Sequence, residues 1–340
     1  MSAASPGPMP SGPSHRVLEQ AAEWFALLLS GEATAADRRR WEAWLSAADE
    51  HRQAWGYVEN LSRRLDPIKA SAQPRLAASA YRQAGANRGR RRQVLLGLAA
   101  FAGTGVLGLA IWRDPSLSDA APAWTADYRS ATGEVREIAL ADGSRVWLNA
   151  VSAFDQDYRP DQRLLRLRQG EMLIDTASDP LRRPFHVNTA QGRLRALGTR
   201  FNVRLDGDAQ TTLSVYGGAV EVQPRAGQAT IVRAGHQLSF TAAGVSGARP
   251  ADPAREAWTR GVLIARNIPL AEVVAELRRH HRGHLGLAPE LAGLPVFGSY
   301  PADDPEQALA MLETVMPIAV RRPLPWWISI EPRKPAAADR

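Results

Sequence analysis

The chain has 340 residues, 45% of them hydrophobic, no cysteine and a formal net charge of +7. That length allows two or three domains with real cores, and the missing thiols exclude disulfides, thiolate metal sites and cysteine nucleophiles. Residues 1–66 carry seven basic and nine acidic side chains, whereas residues 67–92 carry seven basic and no acidic ones. The excess is therefore local, which argues against a DNA-binding face and for a basic segment beside a membrane.

Residues 1–14, small, polar and proline-rich, are expected to be disordered. Residues 15–66 read as a small helical bundle. Val17, Leu18, Ala21, Trp24, Phe25, Leu28 and Leu29 recur at helical spacing, and Gly31 ends that helix. Thr34 with Asp37 resembles a capping box for a second helix, whose apolar side is Trp41, Trp44 and Leu45. A third carries Ala54, Trp55, Val58, Leu61 and Leu65, with Pro67 as its stop. So many tryptophans either supply bulk to a core too small to do without them or form a partner-binding surface.

A basic linker, 67–93, leads to Val94–Trp112, nineteen residues without a charge. A helix of that length reaches roughly 28 Å, close to the bilayer's hydrocarbon thickness, so a transmembrane helix is expected at 94–112. Arg90, Arg91 and Arg92 precede it and predict a single pass through the inner membrane, with the N-terminus cytoplasmic and the C-terminus periplasmic. Arg91 and Arg92 running into Val94-Leu95-Leu96 also fit a twin-arginine signal. Gly103-Thr104-Gly105-Val106-Leu107-Gly108 matches the dinucleotide-binding pattern but follows no strand, so it predicts no nucleotide.

From 120 to 245 the pattern alternates, predicting an all-β domain, solenoid- or sandwich-like. Ile138 and Leu140 are followed by the Asp142-Gly143 turn and by Val146 and Leu148. Leu165 and Leu167 repeat that scheme with Met172 and Ile174 across Gln169-Gly170. Residues 258–331 read as a small α+β module with helices opening at Pro269 and at Asp304-Pro305, and 332–340 as a tail. His280, His281 and His284 suggest a metal, yet Gly283 interrupts them and no carboxylate offers a fourth ligand, so the polar end of an amphipathic helix is the stronger reading. No nucleophile elbow, zinc-protease motif or phosphate loop occurs, so neither an enzyme nor a cofactor is expected.

The segment ATGEVREIALADGSRVWLN, 131–149, resembles the signature of FecR-type anti-sigma regulators. Gly170-Glu171, Pro184-Phe185-His186-Val187, the run Leu197 to Val203 and Ala234-Gly235-His236-Gln237-Leu238 carry the same resemblance. Residues 21–55 are similar to that family's helical domain, and 262–330 look like the short secretin/TonB module that ends many members. Gly217-Gly218 and Ile174 depart from the family pattern locally. The resemblance marks Gly133, Glu134, Asp142, Gly143, Asn149, Gly170, Glu171, Pro184, Phe185, Gly198, Thr199, Phe201 and Val203 as signature residues, and their types suit a scaffold of turns and core rather than catalysis.

The resemblance implies a circuit. The helical region would sequester an extracytoplasmic-function sigma factor, and the β domain would take a signal from the signalling domain of a TonB-dependent receptor of iron or siderophore uptake. Envelope proteases would then release the sigma factor. Trp24, Trp44 and Trp55, with His51 as polar support, are the expected sigma contacts. No direct nucleic-acid contact is expected. A carbohydrate-binding envelope protein would need more aromatics in the β region, and a tethered DNA-binding regulator would need a basic helix where residues 15–66 are net acidic. A further alternative treats residues 1–112 as a removable leader.

Overall fold

The computed structural model of the protein describes residues 12–71 and 123–333. The chain divides into two compact units. One comprises Met1–Gly105, Gly283–Gly293 and Leu312–Arg340, the other Val106–Arg282 and Leu294–Met311.

The first unit opens with three helices, α1 (His15–Ser30), α2 (Ala35–Ala47) and α3 (Asp49–Ser71). Gly31 takes the left-handed conformation (φ 78°) that ends α1. The Thr34 side chain accepts from the Asp37 amide while Asp37 accepts from the Thr34 amide, so α2 starts on the reciprocal cap its sequence encodes. The third helix runs through Pro67 to Ser71. Proline withholds only one amide from the ladder, so it did not stop the helix where the sequence suggested. Val17, Ala21, Ala22, Ala54 and Val58 are buried between α1 and α3, in one cluster with Leu324, Trp326 and Trp327 from the C-terminal strands. Alanine at the helix contact lets the backbones approach closely, and the indoles supply the volume.

The second unit is built on fourteen strands. They are β1 (Tyr128–Arg129), β2 (Arg136–Ala139), β3 (Arg145–Leu148), β4 (Ala153–Tyr158), β5 (Arg163–Gln169), β6 (Glu171–Asp175) and β7 (Phe185–Asn188). After them come β8 (Gly192–Ala196), β9 (Arg200–Asp206), β10 (Gln210–Gly217), β11 (Ala219–Pro224), β12 (Thr230–Arg233), β13 (His236–Phe240) and β14 (Arg249–Pro250). They form two seven-stranded sheets, β1-β4-β5-β7-β8-β11-β12 and β14-β13-β10-β9-β6-β3-β2. One core joins them: Phe154, Leu165, Phe185, Leu194 and Val220 from the first sheet meet Val146, Met172, Phe201, Val203 and Leu213 from the second. Alternate side chains of each strand point inward, so the period-two pattern in the sequence is the pattern of this shared core.

Gly143 (φ 85°) sits in the expected turn between β2 and β3, where Ile138 pairs with Val146. Gly170 does something else. The strands flanking it are not a hairpin, because β5 lies in the first sheet and β6 in the second. Gly170 has φ 81°, and a Cβ built on it falls 2.0 Å from Ser152 Oγ and 2.8 Å from Ser152 Cα. Only glycine lets the chain cross between sheets this close to β4.

The C-terminal region requires a correction. The expected secretin/TonB module over 258–331 is not one domain: its elements are shared between the two units. A 3-10 turn, Pro253–Arg260, leads to β15 (Val262–Pro269) and α4 (Leu270–His280), which belong with the two sheets. β16 (His284–Leu287) belongs with the helices. β17 (Pro295–Pro301) pairs with β15. After α5 (Pro305–Val315), β18 (Ile318–Leu324) and β19 (Trp327–Pro332) form a separate sheet ordered β16-β19-β18. Two unlinked sheets replace the single one a self-standing module needs.

The expected transmembrane helix is corrected too. Among the described residues no helix is long and apolar enough to cross a membrane. Residues 94–112, like Arg90, Arg91 and Arg92 and the termini 1–11 and 334–340, lie outside the described residues.

Candidate functional site

Two places concentrate chemistry, one in each unit. In the helical unit it is aromatic. The Trp44 ring stacks on His51 at 4.5 Å and 6°, and His51 Nδ1 lies 2.6 Å from the Trp44 carbonyl oxygen. Trp44 Nε1 donates to Gln20 Oε1 at 3.1 Å. These contacts staple α2 to both α1 and α3. Trp55 lies between Trp41 (5.0 Å) and Phe25 (5.6 Å), both tilted, an arrangement that gains from the ring quadrupoles as well as from burial. Trp24 is half-buried on α1, and Leu29 near its end is 63% exposed. The four expected sigma contacts therefore separate: Trp44, His51 and Trp55 hold the bundle together, and Trp24 stands apart from that packing.

In the β unit the chemistry is polar and buried. Asp142 accepts from Ser144 N and Oγ, from Tyr158 Oη at 3.2 Å and from Arg163 Nη1 at 2.7 Å. Burial opposes its charge, but these donors outweigh burial and hold the carboxyl below its usual range. Burial, with the Asp142 charge beside it, pushes the Tyr158 phenol far up. Glu134 closes its own turn by accepting from the Ala131 amide at 2.8 Å.

Asn149 is the hub of a second network. Its Nδ2 donates at 2.9 Å both to Glu171 Oε2 and to Glu276 Oε1 of α4, while its Oδ1 accepts from the Ala150 amide. Asn202 Nδ2 donates to the other Glu171 oxygen at 2.8 Å. The turn at Gly133 adds a backbone contact, its amide donating to the Arg279 carbonyl at 3.0 Å. Burial and then the neighbouring Glu171 charge raise the Glu276 carboxyl above the usual range. Burial opposes the Arg204 charge nearby, yet Glu171, Asp206 and Glu276 together keep that guanidinium above its ordinary value.

Several signature residues thus have neighbours that sequence reasoning did not supply. The scaffold reading of Asn149 did not supply its two carboxylate partners, nor did the resemblance across Leu197 to Val203 supply that of Asn202. Glu276 was missed altogether, because it sits inside an apolar helical stripe 127 residues from Asn149. A carboxylate on the buried side of a helix is itself a signal that it has a partner. The remaining signature residues lie in turns and core: Phe185, Phe201 and Val203 are buried between the sheets, Gly198 has φ 73°, the Pro184 carbonyl accepts from Arg163 N, and the Thr199 amide donates to Thr176 Oγ1. Of the three histidines, His280 is buried and His284 stacks on Trp327 at 3.7 Å. Among the described residues no group of three His, Cys, Asp or Glu side chains is placed to hold a metal.

Comparison with known families matches the FecR protein family over residues 126–221 and a domain of unknown function, DUF4880, over 19–61. Residues 126–221 thus resemble a FecR domain and residues 19–61 the DUF4880 helical region, the likeness that the motifs implied. Two crystal structures of a candidate anti-sigma factor from Parabacteroides distasonis share its fold, each at 24% identity and covering 60% of this chain. They give TM-scores of 0.52 and 0.53 and are themselves covered over 97% and 98% of their length. No curated protein matches the chain.

Proposed function

We propose that this chain regulates transcription by binding a sigma factor, of the extracytoplasmic-function class, through helices α1–α3. The supporting observation is the pairing of a FecR domain with its helical N-terminal region in one chain, next to structural neighbours described as an anti-sigma factor. The chemistry suits binding rather than catalysis: a small bundle stapled by Trp44 and His51, with Trp24 and Leu29 left to meet a partner. The signal comes to the β domain from a TonB-dependent receptor of iron or siderophore uptake, the chain works at the inner membrane, and envelope proteolysis frees the sigma factor.

The test is capture of the extracytoplasmic-function sigma factors of the same genome by the full-length chain and by Trp24→Ala and Trp55→Ala variants, with circular dichroism on each. The proposal expects Trp24→Ala to lose capture at full helicity and Trp55→Ala to lose both. Full capture by Trp24→Ala and Leu29→Ala together would place the contact elsewhere. Failure of the wild-type chain to capture any of them would end the proposal.

A further inference from the structure

Helix α4 buries Leu270, Val273, Val274 and Leu277 and packs against β15 and β17, so its apolar face is satisfied within its own segment. Its connection to the sandwich is different in kind. Glu276 bonds Asn149, the Arg279 carbonyl takes the Gly133 amide, and the preceding 3-10 turn is tied by Glu256 to Arg200 at 2.6 Å. The Gly133 amide meets one of the carbonyls a helix leaves unpaired at its C-terminus. Beside these contacts lies a cavity of about 90 Å³ lined by Glu171, Asn202, Arg204, Tyr216, Trp258 and Glu276. Asn202 Oδ1 and Trp258 Nε1, both buried, have no hydrogen-bond partner among the described residues, and a polar cavity of this size has room for water that would bond them.

We infer that Asn149, Glu171 and Asn202 form a socket on the sandwich that holds α4 through Glu276, and that this polar, hydrated joint releases the α4 segment while both packed bodies stay folded. The energetics favour a joint of this kind. The Gly133, Glu276 and Glu256 contacts across the joint are polar, and water replaces each of these bonds when they part. Two carboxylates sharing one amide donor add repulsion that opposes docking. The joint does not depend on the proposed function.

Hydrogen exchange followed by mass spectrometry on the full-length chain tests it. Glu276→Ala and Asn149→Ala should each raise exchange across residues 270–280 by about tenfold, and the double variant no further. Glu276→Gln, whose carbonyl still accepts from Asn149, should protect α4 at least as well as wild type. Strands β9 and β10 should stay protected in every variant. The inference is overturned if α4 exchanges as in wild type in both alanine variants, if Glu276→Gln opens α4 as the alanine change does, or if β9 and β10 lose protection along with α4. Sigma capture is measured apart, so loss of one result leaves the other standing.

Discussion

Asn149 and Glu276, separated by 127 residues, are joined by a 2.9 Å hydrogen bond in which a buried amide reaches a buried helix carboxylate. The same nitrogen serves Glu171 from the sandwich. Attachment of the helix therefore depends on how two carboxylates divide one donor, and that division titrates.

Glu276 is raised above its ordinary value of 4.5 by burial first and by Glu171 second. A group raised in the docked state supports docking fully below its free pKa and loses that support as pH climbs through the docked value. Glu171, Arg204, Arg279 and His280 face the same carboxylate. His280 works in the opposite sense, since burial lowers its pKa and its support fades as pH falls. Exchange of α4 in wild type minus that in Glu276→Gln, after correction for intrinsic rates, should grow between pH 5 and 8. A flat difference would remove Glu276 from the titration.

Gly170 and Gly198 share a left-handed backbone but not their surroundings. A Cβ at Gly170 collides with Ser152, whereas one at Gly198 meets nothing within 4 Å. Gly198→Ala should cost about 1 kcal/mol from backbone strain alone. Gly170→Ala should cost roughly 3 kcal/mol or more, because the clash displaces β4. Urea melts of the two variants measure the gap, and equal midpoints would show that the crossing tolerates a side chain.

The Asp142–Arg163 pair is buried, with side chains 1% and 8% exposed. Truncating either partner strands the other charge, so Asp142→Ala should destabilise the sandwich by about 3–5 kcal/mol, and the double change to Ala and Met by less. Asp142 is held below 3.8, so its contribution is present above that pH and disappears as pH falls through the folded value. Acid titration of stability, compared with the double variant, checks the sign.

Trp44 and His51 should behave as one unit. Replacing either with alanine unstacks the pair that ties α2 to α3, so each change should lower the melting temperature of the helical region and the combination should add little. Full additivity in thermal melts would show that the stack contributes nothing.

Much of this was legible from residues. Thr34 with Asp37 fixed the start of α2 because a reciprocal cap is written in four consecutive residues. Alternation at Ile138, Val146, Leu165 and Met172 identified inward faces because each strand repeats every two residues. Order between strands was not legible. Gln169-Gly170 reads as a hairpin, whereas β6 crosses to the facing sheet and brings Gly170 against Ser152, eighteen residues earlier and distant in pattern. Glu276 was hidden for a related reason: its partners Asn149 and Glu171 are brought to it only by the completed sandwich. The C-terminal mix of helix and strand was legible, but the allotment of those strands to two separate sheets is a property of packing, not of periodicity.

The crossing at Gly170 also sets how the sandwich yields to force. Because β5 and β6 are covalently continuous yet belong to opposite layers, as are β10 and β11 across Gly218, neither layer peels away alone. An unfoldase dragging on the chain would strip α4 easily and then stall at a body that gives way all at once.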